Sequence, residues 1–379
     1  MKVFYWSPFF RKIATISAVI NSAKSLVKYH KNNKYSVSII DAIGEWNEYK
    51  KNVNKEITFK RLSERNFIKK IPVDGFFKSR FSYLFIFILS FFKLLKLINS
   101  EKPDFLIIHL ITSLPIFASM FFNKKTKIIL RISGLPKLNF LRFYFWKFFS
   151  NKIYKVTCPT KSTYDNILKM NIFKREKVFI LRDPVININD FKNKKKEKVK
   201  SKIFLNKNIL VAIGRLTKQK NFAFLISSFH KILLKYPEYI LIILGDGEQK
   251  KELEKLASDL RISDKVHILG YQKNIYKFLN ISECFILSSL WEDPGFVLIE
   301  AALSNTNIIS SDCPNGPKEI ITKNDLLFLN NNQTDFLNKF EIFKNMSKDE
   351  LFKIKLNTKK NIKKFSQFQH YKTLDNILN

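Results

Sequence analysis

Short apolar runs alternate with helical stretches along almost the whole chain, and no other feature restricts the fold as much. "KVFYW" is followed by Ile16, Val19, Ile20, Ala23, Leu26 and Val27, apolar at the three- and four-residue spacing of one helix face. "YSVSII", "DFLIIHL", "KIILRI", "YKVTC" and "VFIL" come next in order. Apolar strands that alternate with helices form parallel sheets covered by helices on both faces. After "RDPVININD" the chain turns basic and aperiodic in "FKNKKKEKVKSK", which reads as a linker. A second series then begins with "NILVAIG", a helix over 221–235, "YILIILGDG", a helix over 249–260 and "VHILG". "ECFILSS", a helix after Pro294 and "NIIS" complete it. A chain of 379 residues is long for one hydrophobic core. The expectation is an α/β protein of two doubly wound parallel-sheet domains, over 1–187 and 207–348, joined by a linker over 188–206.

Charge narrows the partners. Lys and Arg number 67 against 32 Asp and Glu, a formal net charge of +35. Abundant Lys, Asn, Ile and Phe are also what an AT-rich genome produces by drift. The functional readings are an anionic membrane surface, an anionic substrate or nucleic acid. Nucleic acid is not expected as a partner, because no helix-turn-helix, zinc-finger or RRM-type signature occurs. Cys158, Cys284 and Cys313 are isolated, odd in number and without metal spacing, which suits a reducing compartment. The opening "MKVFYWSPFFRK" has no signal-peptide apolar region, so a cytoplasmic protein is expected. Two stretches of the first domain differ from ordinary core. "FSYLFIFILSFFKLLKLI", 81–98, is apolar until Lys93 interrupts it, short of the roughly 20 residues of a spanning helix. "FLRFYFWKFFSNKIYK" interleaves aromatics with Arg142, Lys147, Lys152 and Lys155. That mixture suits a helix lying in an anionic bilayer interface, and equally a core helix of a Phe-rich protein.

Open parallel sheets bind ligands beyond the carboxyl ends of their strands, so the turns there hold the candidate residues. "VAIGRLTKQKN" ends a strand at Gly214 and presents Arg215 and Lys220. Gly245 and Gly247 in "ILGDGEQ" make a tight strand-to-helix turn; a dinucleotide fingerprint would need a third glycine and a ribose acid about twenty residues on. In "LWEDPGFVLIEA", Asp293 is the expected N-cap and Pro294 the first helical residue. The amides of Gly295, Phe296 and Val297 would then face an anion. Glu300 sits among Val297, Leu298, Ile299, Ala301, Ala302 and Leu303. A buried carboxylate costs several kcal/mol without partners, so Glu300 needs either a basic side chain or ligand hydroxyls. Glu292, before the helix, is under less constraint and is compatible with a solvated position.

Glu292 and Glu300 with Pro-Gly-Phe between them resemble the paired-glutamate motif of family 4 retaining glycosyltransferases. "GRLTKQKN", the Gly-Asp-Gly turn and "SDCPNGPKEI" are similar to that family in order and spacing, over roughly 205–322. The resemblance implies a GT-B fold, two Rossmann-like domains facing a cleft, with terminal helices over 349–379 packing back on the first. It implies a nucleotide sugar held by the second domain and an acceptor by the first. Arg215 and Lys220 would neutralise the donor diphosphate together with the amides of Gly295, Phe296 and Val297. Glu300 would bind the ribose, Glu292 the transferred sugar, and the loop Leu269, Gly270, Tyr271, Gln272 the base. His109, closing "DFLIIHL", would approach the sugar near the reaction centre; the alternative is a structural strand-end histidine. The family's Gly-Gly first loop is replaced here by "SPFFRKIAT", where Ser7, Arg11, Lys12 or Thr15 could substitute, and "ITKNDLLFL" lacks the usual glycine-rich turn.

The activity implied is transfer of a hexosyl or N-acetylhexosaminyl unit from a nucleoside diphosphate sugar, UDP favoured over GDP, with retention of configuration. The acceptor would be a glycan, lipid-linked, in bacterial surface-polysaccharide, lipopolysaccharide or O-antigen assembly, at the inner face of the cytoplasmic membrane. No cofactor and no metal are implied, and no Asp-x-Asp occurs. The rivals are a nicotinamide-dependent oxidoreductase, against which the incomplete dinucleotide fingerprint speaks, and a non-catalytic membrane-associated protein that keeps the shell.

Overall fold

The structure is a computed structural model. It describes all residues except 11–13, 31, 33, 52, 54, 65–66, 68–75, 124, 135, 137, 200–203, 205–206 and 322–325, and the backbone alone of 76–81. Arg11, Lys12 and part of "ITKNDLLFL" therefore lie outside the described residues. The chain divides into two units, Met1–Pro184 with Gln367–Asn379, and Val185–Ser366.

The first unit is built on β1 (Lys2–Trp6), β2 (Ser36–Asp41), β3 (Ile57–Arg61), β4 (Phe105–Ile108), β5 (Lys127–Arg131), β6 (Ile153–Cys158) and β7 (Val178–Ile180). They form a sheet in the order β3-β2-β1-β4-β5-β6-β7, with all pairs parallel. Alternate residues of β1 serve opposite faces: Val3 and Tyr5 join one apolar cluster, Phe4 and Trp6 the other. Two buried faces explain why this strand reads as continuously apolar. The helix Phe76–Glu101 covers one face. Ser82, Ile86, Ser90, Leu94 and Ile98, spaced by four, are buried against the sheet. By length and composition its segment Ser82–Glu101 could cross a membrane, a length the sequence did not suggest because Lys93 divides the run.

The second unit holds β8 (Asn208–Ile213), β9 (Tyr239–Leu244), β10 (Val266–Ile268), β11 (Cys284–Leu287), β12 (Asn307–Ser311) and β13 (Leu327–Phe328). Their order is β10-β9-β8-β11-β12-β13, again all parallel. Each sheet reverses direction once, between β1 and β4 in the first and between β8 and β11 in the second. At such a reversal the two following loops run to opposite faces and leave a crevice for ligand.

Two segments depart from the expected boundaries. Within 188–206, Ile188–Lys195 is a helix of the second unit, started by Asn187, whose side chain accepts from the Asp190 amide. Phe191 packs edge-on against Tyr276, and Asn274 Nδ2 donates to the Lys194 carbonyl. Its lysine-rich composition hides one anchoring face. Of the helices over 349–379, Lys348–Asn361 stays with the second unit, where Asn361 Nδ2 donates to the Glu319 and Ile320 carbonyls. Only the helix Gln367–Leu378 returns to the first. Leu374, Ile377 and Leu378 join the cluster of Val3 and Tyr5. Buried His370 lies 2.6 Å from the Arg182 carbonyl and 2.8 Å from Ser22 Oγ. A carbonyl only accepts, so Nδ1 carries the proton, Nε2 accepts from Ser22, and Tyr5 donates to Ser22 in turn.

Candidate functional site

The loops after β8 and β11 meet at the reversal point of the second sheet. Leu290 N donates to Gln219 O and Ser288 Oγ to Lys220 O, which fixes one loop to the other. On this frame Lys220 Nζ forms an ion pair with Glu292 Oε1, the two side chains only 13% and 6% exposed. Ser289 Oγ donates to the same oxygen at 2.6 Å, and Ser311 Oγ holds the Ser289 carbonyl at 2.7 Å. Glu292 is thus neither solvated nor spare, which corrects the alternative left open for it. A charge so buried persists only because it is paired and hydrogen-bonded. The stem of Lys220 lies along Gly214: a Cβ there would stand 2.8 Å from Lys220 Cε. Arg215, by contrast, is exposed at the sheet edge, with no ion pair or side-chain hydrogen bond among the described residues.

Gly245, Gly247 and Gly316 let backbones touch in this site. A Cβ on Gly245, whose φ is +152°, would fall 1.8 Å from the Gly214 carbonyl oxygen. A Cβ on Gly316 would fall 2.1 Å from the Pro294 carbonyl oxygen, so the loop after β12 rests directly on the one after β11. The Gly-Asp-Gly turn is therefore a packing device, and its aspartate has a further task. Asp246 Oδ2 accepts from the Tyr271 amide at 2.7 Å, fixing the loop Leu269–Gln272, while Gly270 at φ +69° accepts from Gly245 N. Gln272 Nε2 closes the loop onto Leu269 O, and Tyr271 points outward, 66% exposed.

The helix expected from Pro294 begins two residues later, at Phe296, and runs to Leu303. Gly295 takes the N-cap position at φ +87°, a left-handed conformation that disfavours other residues, so the cap falls two residues after Asp293. The amides of Phe296 and Val297 open the first turn and have no helical carbonyl to bond. Glu300, half-buried on this helix, has no side-chain hydrogen bond among the described residues. Burial pushes its carboxyl up to about 7, opposed by Lys194 and reinforced by Asp190. Those two form an ion pair of 2.8 Å on the helix inside the presumed linker, so neither was a foreseeable neighbour of Glu300.

In the first unit, Ser7 and His109 stand at the corresponding reversal, after β1 and β4. His109 N donates to Trp6 O at 2.9 Å. The ring is buried, and its Nδ1 meets no partner among the described residues. Burial, then Arg131 and His370, hold its proton affinity well below the usual histidine range, so the ring is neutral. Arg131 is itself fixed by the Leu181 carbonyl at 2.5 Å and by Asp183 at 2.6 Å. Ser7 is fully buried and Thr15 lies on the first helix.

Residues 193–365 match the family model for glycosyl transferases group 1. The match lies within the second unit and takes in both loops that carry Lys220 and Glu292. A relative from Methanocaldococcus jannaschii, an uncharacterised glycosyltransferase, is 36% identical over 248 residues, 61% of each chain. A Campylobacter jejuni protein, N-acetylgalactosamine-N,N'-diacetylbacillosaminyl-diphospho-undecaprenol 4-alpha-N-acetylgalactosaminyltransferase, is 32% identical over 124 residues, 33% of each. The chain thus spans 61% and 33% of the lengths of these two curated relatives. Among solved structures, Anabaena HepE in complex with UDP and glucose superposes with a TM-score of 0.74 at 14% identity, covering 100% of this chain and 99% of that one. That likeness establishes the GT-B architecture of two parallel-sheet Rossmann-like domains.

Proposed function

We propose that this chain transfers a hexosyl or N-acetylhexosaminyl unit from a nucleoside diphosphate sugar, UDP in preference to GDP, to a lipid-linked glycan, with retention at the anomeric carbon. The reading rests above all on one observation: a buried Lys220–Glu292 pair at the reversal point of a group 1 domain, beside the exposed Arg215. The Campylobacter relative's name, which contains a diphospho-undecaprenol-linked sugar, and the UDP and glucose of the Anabaena structure support it. The cytoplasmic face of a bacterial membrane, in surface-polysaccharide assembly, is the setting that fits such an acceptor.

Each residue then has a task. Arg215, Lys220 and the amides of Gly295, Phe296 and Val297 meet the diphosphate. Glu300 accepts from the ribose hydroxyls, and the backbone of Leu269–Gln272, held by Asp246, reads the base. Glu292 presents its second oxygen to a sugar hydroxyl, since Lys220 and Ser289 both hold Oε1. His109, neutral, serves the transferred sugar as an uncharged hydrogen-bonding partner. As the bond from C1 to the diphosphate oxygen breaks, its electron pair goes to the diphosphate. The acceptor oxygen adds to the same face, and its proton passes to the departing phosphate. Charge growing on the leaving group is met by fixed cations and amides, the kind of preorganised contact worth about 3–4 kcal/mol each. Arg215 and Lys220 supply the positive charge, without a divalent metal or an organic cofactor.

A thermal-shift panel of UDP-sugars, GDP-sugars and NAD(P), followed by NMR of the product's anomeric configuration, tests the reading. A UDP-sugar should raise the melting temperature, because a cognate ligand binds only the folded state. A shift with NAD(P) alone, or an inverted product, would reject it.

A further inference from the structure

The first unit contains a cavity of about 770 Å³ between the helix Phe76–Glu101 and the helix Phe140–Phe149. Tyr83, Leu84 and Phe87 form one wall, and Leu141, Phe145 and Trp146 the other. Its basic side chains are His109 and Arg131 inside and Arg142 on the second helix, beside the neutral Thr112, Ser113, Ser133 and Asn139, with no carboxylate among the described lining residues. Leu84 and Leu141 line it and are also 56% and 76% exposed, so they form its rim.

From that rim two apolar rows run outward. Leu84, Ile88 and Phe92 are spaced by four on one helix, and Phe140, Tyr144 and Phe148 by four on the other, all of them exposed. Four-residue spacing puts each set on one side of its helix. Lys93 and Lys96 flank the first row, Arg142 and Lys147 the second, and all four are exposed. Two exposed apolar rows flanked by cations are the pattern of helices lying in an anionic bilayer interface, their basic heads reaching the phosphate level. Leu84 belongs both to the first row and to the cavity rim, and Leu141 brings the rim next to the second row. Its volume is that of a pocket for one small ligand, enough for the head-proximal end of a lipid and not for a whole long chain.

We propose that this cavity binds the head-proximal part of a single-chain lipid diphosphate, entering from the bilayer between the two exposed rows, with Arg142 meeting the phosphates at the rim. The proposal deepens the lipid-linked acceptor reading above and rests on it.

Calorimetric titration of the full chain with farnesyl diphosphate, inorganic diphosphate and phosphatidylglycerol vesicles tests it, with UDP titrated in parallel. Farnesyl diphosphate should bind at least ~10-fold tighter than inorganic diphosphate. Ser133→Phe, which fills the cavity, should weaken that binding ~10-fold or more. The surface variant Leu84→Glu/Leu141→Glu, which places acids on the rim without disturbing the core, should do the same. UDP affinity should stay unchanged in both. Equal binding of the two diphosphates, farnesyl diphosphate binding that survives both variants, or attachment to vesicles alone would each overturn the proposal. Loss of UDP binding alone, with farnesyl diphosphate still bound, would instead strike the donor reading.

Discussion

Replacing Glu292 by leucine should destabilise the second unit far more than the loss of an ordinary ion pair. Exposed pairs contribute about 0.2–1 kcal/mol. Here the partners are 13% and 6% exposed, so Glu292→Leu leaves the Lys220 ammonium buried without a counter-charge and Ser289 Oγ without its acceptor. Breaking one side of such a pair costs about 3–5 kcal/mol. Lys220 cannot easily swing away, because its stem is confined against Gly214. The unit runs from Val185 to Ser366, and in domains of that size each kcal/mol lowers the melting temperature by about 2–4 °C. The expected loss is therefore about 6–20 °C, read by scanning calorimetry. Lys220→Met/Glu292→Leu, which removes both charges and keeps apolar bulk, should recover most of it, giving a coupling energy of about 2 kcal/mol or more. Turnover should fall by ~100-fold or more in the single variants and in the double. A cost below about 1 kcal/mol for Glu292→Leu would make the pair a surface contact. Near-normal turnover in the double variant would remove both residues from the chemistry.

Glu300 sets a pH dependence. Its folded-state carboxyl, at about 7 against an ordinary 4.5, holds a proton more tightly than in the unfolded chain. Its contribution is therefore most favourable below about pH 4.5, declines as pH rises to about 7 and is flat above, a span of up to about 3 kcal/mol. Glu300→Gln should be more stable than the parent at pH 8 and no more stable at pH 4.5, by urea unfolding, while losing UDP-sugar affinity; a difference independent of pH would refute this. Arg215→Ala, at an exposed position, should leave the melting temperature within about 1 °C and lower turnover ~100-fold. Removal of residues 367–379 takes buried Leu374, Ile377 and Leu378 from the first unit, about 5–9 kcal/mol of apolar burial. Limited proteolysis should then cut the first unit while the second resists and still binds UDP.

The two parallel sheets were legible because both faces of strands such as β1 and β9 are buried, which leaves uninterrupted apolar runs with helices between them. The partner of Glu292 was not. Lys220 lies 72 residues away, one of 67 basic residues in the chain, and nothing in composition marks it. The helix start was placed two residues early because Asp-Pro is a favoured opening. Only the left-handed φ of Gly295 shows that the cap falls there. The helix Ile188–Lys195 vanished into a lysine run, since its tertiary anchors, Tyr276 and Asn274, are supplied from far along the chain. In the helix Phe76–Glu101, the sequence shows apolar residues all round but not which row faces the sheet. The buried row of Ile86, Leu94 and Ile98 and the exposed row of Leu84, Ile88 and Phe92 separate only in three dimensions.

The return of the last helix to the first unit has a consequence for how the protein is made. Residues 1–184 precede the second unit in synthesis, yet the layer formed by Leu374, Ile377 and the His370–Ser22 link does not exist until residues 367–378 have been made. The second unit is contiguous and can fold before then, so the first unit, begun before the second, is completed after it. Throughout that interval the cluster of Val3 and Tyr5 keeps the helix Ala14–Tyr29 but lacks the share of its cover that Leu374, Ile377 and Leu378 supply, and a nascent chain released early would present that apolar surface to chaperones and proteases.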